Sequence, residues 1–122
     1  MTLTSGTSTT QAVVGHHLEF FYALDPEGVV DDYAADAVMI VPTGVPGGAH
    51  GIKPFFKTFL AEFAKPGATF ELQQQVFDGD VAYISWVAET SDNTYELGTD
   101  TFVVRDGRIA AQTYACKTTP RT

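Results

Sequence analysis

Asp100 interrupts the pattern of an otherwise apolar strand face, and a carboxylate so placed can carry protons. Side chains alternate faces along a strand. Over Gly98–Arg105 this puts Thr99, Thr101, Val103 and Arg105 on one side, and Asp100, Phe102 and Val104 on the other. Burying a carboxylate is costly unless it is paired, hydrogen-bonded or protonated. A raised pKa in a cleft suits acid–base chemistry, whereas the plainer role is an Asp that ties down a neighbouring loop.

His17 is the second candidate. It lies within a helical stripe of Val13, Val14, Leu18, Phe20, Phe21 and Leu24, with His16 turned toward the stripe's edge. An imidazole oriented by a carboxylate passes protons near neutrality, so a pair with Asp100 is one reading. A neutral core histidine satisfied by a single hydrogen bond is the other. Three histidines are too few and too scattered for a metal site, and His50 reads as an exposed loop residue. Cys116 reads as a packing residue, and Glu89 as the solvated end of a strand. There is no phosphate-binding Gly-rich loop and no serine nucleophile elbow.

The elements that must position these groups are legible from periodicity. Gln11–Leu24 reads as a helix. Asp25-Pro26-Glu27 restarts a short second one that ends at Tyr33, with Asp as cap and Pro in the first position. Ala37–Pro42 is an apolar strand, and the Gly/Pro-rich Thr43–Gly51 a loop at the rim of a cleft. Ile52–Phe63 is a third helix with Phe55, Phe56, Phe59, Leu60 and Phe63 as its stripe and Glu62 turned outward. Strands follow over Thr69–Phe77, Asp80–Thr90, Tyr95–Arg105 and Arg108–Cys116, joined by short turns that include Asp78-Gly79 and Asp106-Gly107. Helices gathered on one side of an antiparallel sheet define an α+β class: a cone-shaped roll of three helices on a strongly curved sheet.

A chain of 122 residues supports one domain, expected over residues 11–117, with residues 1–10 as a flexible lead and 118–122 as a tail. Nine Phe and five Tyr point to a large apolar interior or a ring-lined cavity. Fifteen acidic residues against seven Lys and Arg give a net charge of −8, which argues against nucleic acid and anionic membranes as partners. The single cysteine, and a start without basic and apolar signal regions, fit the cytoplasm.

Four stretches together resemble the nuclear transport factor 2-like superfamily, and within it the small SnoaL-like and ketosteroid-isomerase-like proteins. They are Tyr33–Val38, Gly51–Phe56, Gly79–Tyr83 and Gly98–Gly107. The resemblance spans about Gln11–Cys116. It implies an apolar pocket between helices and sheet, a small hydrophobic carbonyl compound as substrate, and acid–base chemistry of the isomerase or cyclase type without a cofactor; a non-catalytic binding or structural domain is the alternative. Residue by residue, Asp100 falls where the ketosteroid isomerases keep a protonated Asp. His17 stands at their tyrosine donor and Val41 at their general base. The Asp-Arg-Asp set of the limonene epoxide hydrolases is not matched: Gly98 stands two before Asp100, and Arg105 and Arg108 flank a turn. The geometry of the superfamily further implies that Tyr83, Ser85, Val87 and Glu89, with Gln112, Tyr114 and Cys116, share the inward face of Asp100 and Phe102; Phe55 and Phe59 shape the pocket, and Tyr33 either buries its ring in the core or lends a hydroxyl to the cleft. It also implies that Trp86, Thr101 and Val103 form an outer-face homodimer interface.

Overall fold

The computed structural model describes residues 2–42, 44 and 48–121, without the side chains of residues 2–6 and 48–50. Helix α1 runs over Thr2–Tyr22, α2 over Pro26–Val30 and α3 over Gly48–Phe63. Strand β1 spans Tyr33–Ile40, β2 Thr69–Asp78, β3 Val81–Glu89, β4 Asn93–Arg105 and β5 Arg108–Pro120. The five strands form one sheet in the order β1-β5-β4-β3-β2, antiparallel except for the parallel β1–β5 pair. The helices cover one face of it, as the α+β reading requires, and the sheet is moderately rather than strongly curved.

Local chemistry accounts for the joints. The Asp25 carboxylate accepts from the Gly28 N–H at the start of α2, with Pro26 in the first turn. Helix α1 ends in two reversed backbone bonds, Leu24 N–H to Phe21 O and Asp25 N–H to Phe20 O, which put Leu24 at φ 57°. At the β4–β5 turn Asp106 and Gly107 have φ of 51° and 76°, the positive angles that an Asp-Gly hairpin needs.

Several expected boundaries move. Helix α1 begins at Thr2, so the stretch taken for a flexible lead is helical. Its last turn before Gln11 is docked: the buried Thr10 hydroxyl donates to Gly79 O at 2.7 Å, and Gly79 N–H donates to Thr7 Oγ1 at 3.0 Å. Residues 118–120, taken for a tail, pair with Asn93–Tyr95 as the end of β5. Tyr33 opens β1 instead of ending α2. Helix α3 starts at Gly48, so His50 is helical, with its side chain outside the described residues; of the expected rim loop, Thr43 and residues 45–47 also lie outside them. Glu62 is not turned to solvent. Its carboxylate accepts from Thr90 Oγ1, Asn93 Nδ2 and Tyr95 Oη, which clamps the β3–β4 hairpin to α3.

The core lies between the helices and the inner face of the sheet, with Val14, Ile52, Met39, Phe102 and Ile109 almost fully enclosed. Removing a ring such as Phe102 from this packing costs about 3–5 kcal/mol.

Candidate active site

Asp100 does face the helices. It pairs with Ile84 on β3 and Tyr114 on β5, so these residues share the inner face. The expected face of β3 was wrong by one residue. Ala82, Ile84, Trp86 and Ala88 point inward, while Tyr83, Ser85 and Val87 lie on the outer face and Glu89, the next in that alternation, is exposed. A one-residue slip inverts every side chain of a strand. Trp86 therefore belongs to the pocket and not to an outer-face interface. The reason is Gly98, directly opposite Trp86: a Cβ there would stand 2.2 Å from the indole ring. The missing side chain lets the indole lie across β4 and stack on Tyr114, with centroids 6.2 Å apart and planes at 6°.

The indole Nε1–H donates to Asp100 Oδ1 at 2.8 Å, and the Gln112 side-chain amide donates to Oδ2 at 2.7 Å. The Tyr33 hydroxyl donates to Gln112 Oε1. Both carboxylate oxygens thus accept from N–H groups, and no cation shares the site among the described residues. Burial raises the Asp100 pKa from 3.8 to about 6, and the two donated bonds oppose that rise.

His17 lines the same cavity but makes no hydrogen bond to Asp100 among the described residues. Its Nδ1 is sealed from solvent and has no partner. The ring sits edge-on to Tyr33, Phe56 and Phe102, with centroids 5.2–5.9 Å away. Burial, with a smaller push from His16, lowers its pKa to about 4, so it is neutral at physiological pH. His16, one residue earlier, is exposed. Its Nδ1 contacts both Asp32 oxygens at 2.8 and 2.9 Å, and that bond holds its pKa above the ordinary value.

The walls are aromatic. Phe55 and Phe59 on α3 stack on each other at 5.8 Å and meet the Tyr114 ring edge-on, and both are half-buried. Phe21 and Phe70 close one side and Met39 and Phe102 another. The free space between them is about 30 Å³, room for one or two waters. Of the expected pocket residues, His17, Phe55, Phe59, Asp100, Phe102, Gln112 and Tyr114 meet there. Tyr33 stands one hydrogen bond behind them, and Tyr83 and Ser85 lie on the far side of the sheet. Trp86 and Ile84 were missed, although the plain alternation of Ala82, Ile84, Trp86 and Ala88 against Tyr83, Ser85 and Val87 carries the signal.

Three helices laid on a mixed five-stranded sheet make the fold that this chain shares with NTF2-like proteins of known structure. The SnoaL-like domain model matches residues 14–112, and the chain belongs to that family. No curated protein matches it. Among solved structures it is similar to a provisionally assigned ketosteroid isomerase from Kribbella flavida DSM 17836, at 18% identity and a TM-score of 0.75. That match covers 95% of this chain and 83% of the other. It is also similar to SalBIII, described as an epoxide hydrolase/cyclase-like enzyme with a role in pyran ring formation in the polyether salinomycin. Here identity is 15% and the TM-score 0.75, over 90% of this chain and 92% of the other. An NTF2-like protein of unknown function from Mesorhizobium loti matches at 22% identity and a TM-score of 0.73, over 91% and 93%. At these identities the likeness is one of fold.

Proposed function

We propose that this chain is a cofactor-independent acid–base enzyme of the isomerase or cyclase type, acting on a small hydrophobic carbonyl compound, with Asp100 as its proton carrier. The observation that carries the reading is the sealed carboxylate whose two oxygens both accept N–H bonds. An Asp held in this way is an acceptor at rest. Its raised pKa, about 6, brings it close to the operating pH where a general base works best. The ketosteroid isomerase arrangement is then reversed: Asp100 takes the proton, while Val41, at the family's base position, cannot.

The step is a proton abstraction next to the carbonyl. The C–H bond breaks, its electron pair becomes the C=C bond of an enolate while the C=O π pair moves onto oxygen, and an O–H bond forms on Asp100. His17, neutral, donates a hydrogen bond from its otherwise unpartnered Nδ1, in the Nδ1–H tautomer, as the oxygen gains charge. Returning the proton from Asp100 to a different carbon, or to the oxygen, completes an isomerisation or licenses ring closure. Substrate enters by displacement of the half-buried Phe55 and Phe59 rings, because the free 30 Å³ is far below the ~300 Å³ of an ordinary ligand pocket.

The small free volume also favours the second reading, a non-catalytic domain whose interior is simply packed. Exchange of α-hydrogens in a panel of flat cyclic ketones, followed by NMR in D2O, separates the two. The native chain should exchange at least one ketone about 10²–10⁴-fold faster than Asp100→Asn does. No exchange above buffer for any member, with no thermal shift, assigns the chain to the packed reading.

The assembly and compartment belong to the same proposal: a homodimer through the outer sheet face, working in the cytoplasm. Thr101 and Val103 lie on that face, and Val38, Ile40, Val76 and Val81 are 43–49% exposed. No helix among the described residues is long and apolar enough to cross a membrane.

A further inference from the structure

Behind the candidate base runs a buried line of hydrogen bonds with a fixed direction. A carboxylate in its ionised form only accepts, so the Gln112 amide must turn its N–H2 toward Asp100 Oδ2. That leaves Gln112 Oε1 pointing away, where it needs a donor, and the Tyr33 hydroxyl is there. Tyr33 keeps its proton: burial, together with the nearby Asp100 charge, raises its pKa well above the ordinary value. Trp86 Nε1 can only donate. Tyr33 itself is anchored. It opens β1 in register with Ile109, whose N–H donates to Asp32 O, and the Asp32 side chain is held by His16.

We propose that Tyr33 and Gln112 are positioning residues: Tyr33 locks the Gln112 amide so that it donates to Asp100, and this holds Asp100 as an acceptor. The proposal rests on Asp100 as the proton carrier, but not on any particular substrate. Without the Tyr33 hydroxyl the amide is free to turn over. Its oxygen would then face the carboxylate and favour the protonated form. The other titratable groups near Asp100 are neutral His17 from α1 and Tyr114 from β5. Helix α3 brings phenylalanines, and β3 brings Ile84 and the indole.

The chain's only tryptophan reads this directly. Its indole N–H resonance, followed by NMR from pH 4 to 8 in uniformly labelled protein, should titrate with a midpoint of about 6 in the native chain and stay flat in Asp100→Asn. Tyr33→Phe keeps the ring and removes only the donor. It should move the midpoint up by about half a pH unit, and Gln112→Leu by about one unit or more. A midpoint unchanged in Tyr33→Phe, or a native indole that does not titrate, overturns the proposal whatever Gln112→Leu does. Ketone exchange absent in the native chain, with the midpoints moving as expected, overturns the enzyme reading and leaves only the hydrogen-bond lock on the Asp100 carboxylate standing.

Discussion

Asp100 and His17 sit in one cavity and oppose each other in the dependence of stability on pH. Asp100, raised from 3.8 to about 6, contributes stability that is complete below pH 3.8 and lost as pH rises through 6. His17, lowered from 6.5 to about 4, contributes stability that is complete above pH 6.5 and lost as pH falls through 4. Each contribution is worth about 3 kcal/mol across its window, and over pH 4–6 they nearly cancel. Single substitutions should expose the hidden slopes. Relative to the native chain, His17→Phe should gain stability on acidification from pH 6.5 to 4, and Asp100→Asn should lose it. Urea unfolding at several pH values measures both; parallel curves for variant and native would show that neither group carries the linkage. The single-residue chemistry was the most legible part of the sequence: a carboxylate on an apolar strand face, and a histidine in an apolar helical stripe. Their pairing was not. Sequence shows which side of an element a residue takes, and nothing in it says that Asp100 is already satisfied by Trp86 and Gln112.

The elements, too, were legible in kind and order, and the errors came where one residue decides. The inner face of β3 depends on its register with β4, set by the hairpin and by a shift between Trp86 and Ala88. The superfamily analogy chose the wrong parity, whereas the alternation from Ala82 to Ala88 alone chooses the right one. Glu62 was read as solvated because its partners, Thr90, Asn93 and Tyr95, lie about thirty residues ahead in the chain. Helix α1 starts early for the same kind of reason: Thr7 and Thr10 dock on Gly79, and composition does not announce a contact so distant. Gly98 gives the element-scale prediction. Gly98→Ala puts a methyl group into the Trp86 ring, so the indole must leave its place over β4. The expected cost is about 2 kcal/mol of stability, with loss of the indole–Asp100 bond seen as a displaced Trp86 N–H resonance. A variant as stable as the native chain, with that resonance unmoved, would show that the strand yields instead.

At the scale of the whole molecule, the helices leave the outer face of the sheet bare. If two copies meet there, light scattering should report twice the 13.2 kDa chain mass, and Ile40→Lys should return it to one. A native chain already at 13.2 kDa removes the dimer. The inside of the molecule has a selectivity of its own. The chain carries a net charge of −8, and among the described residues the one charge lining its pocket at neutral pH, Asp100, is again negative. A carboxylate or phosphate ester offered to the proposed site would therefore be turned away twice, once by the long-range field and once on arrival at Asp100. Esterifying or amidating an acidic compound should turn a non-binder into a binder, more clearly at pH 8 than at pH 5, where Asp100 takes up its proton. Under the proposed function the pocket would filter on charge before shape, and would admit metabolites only after their acids had been masked.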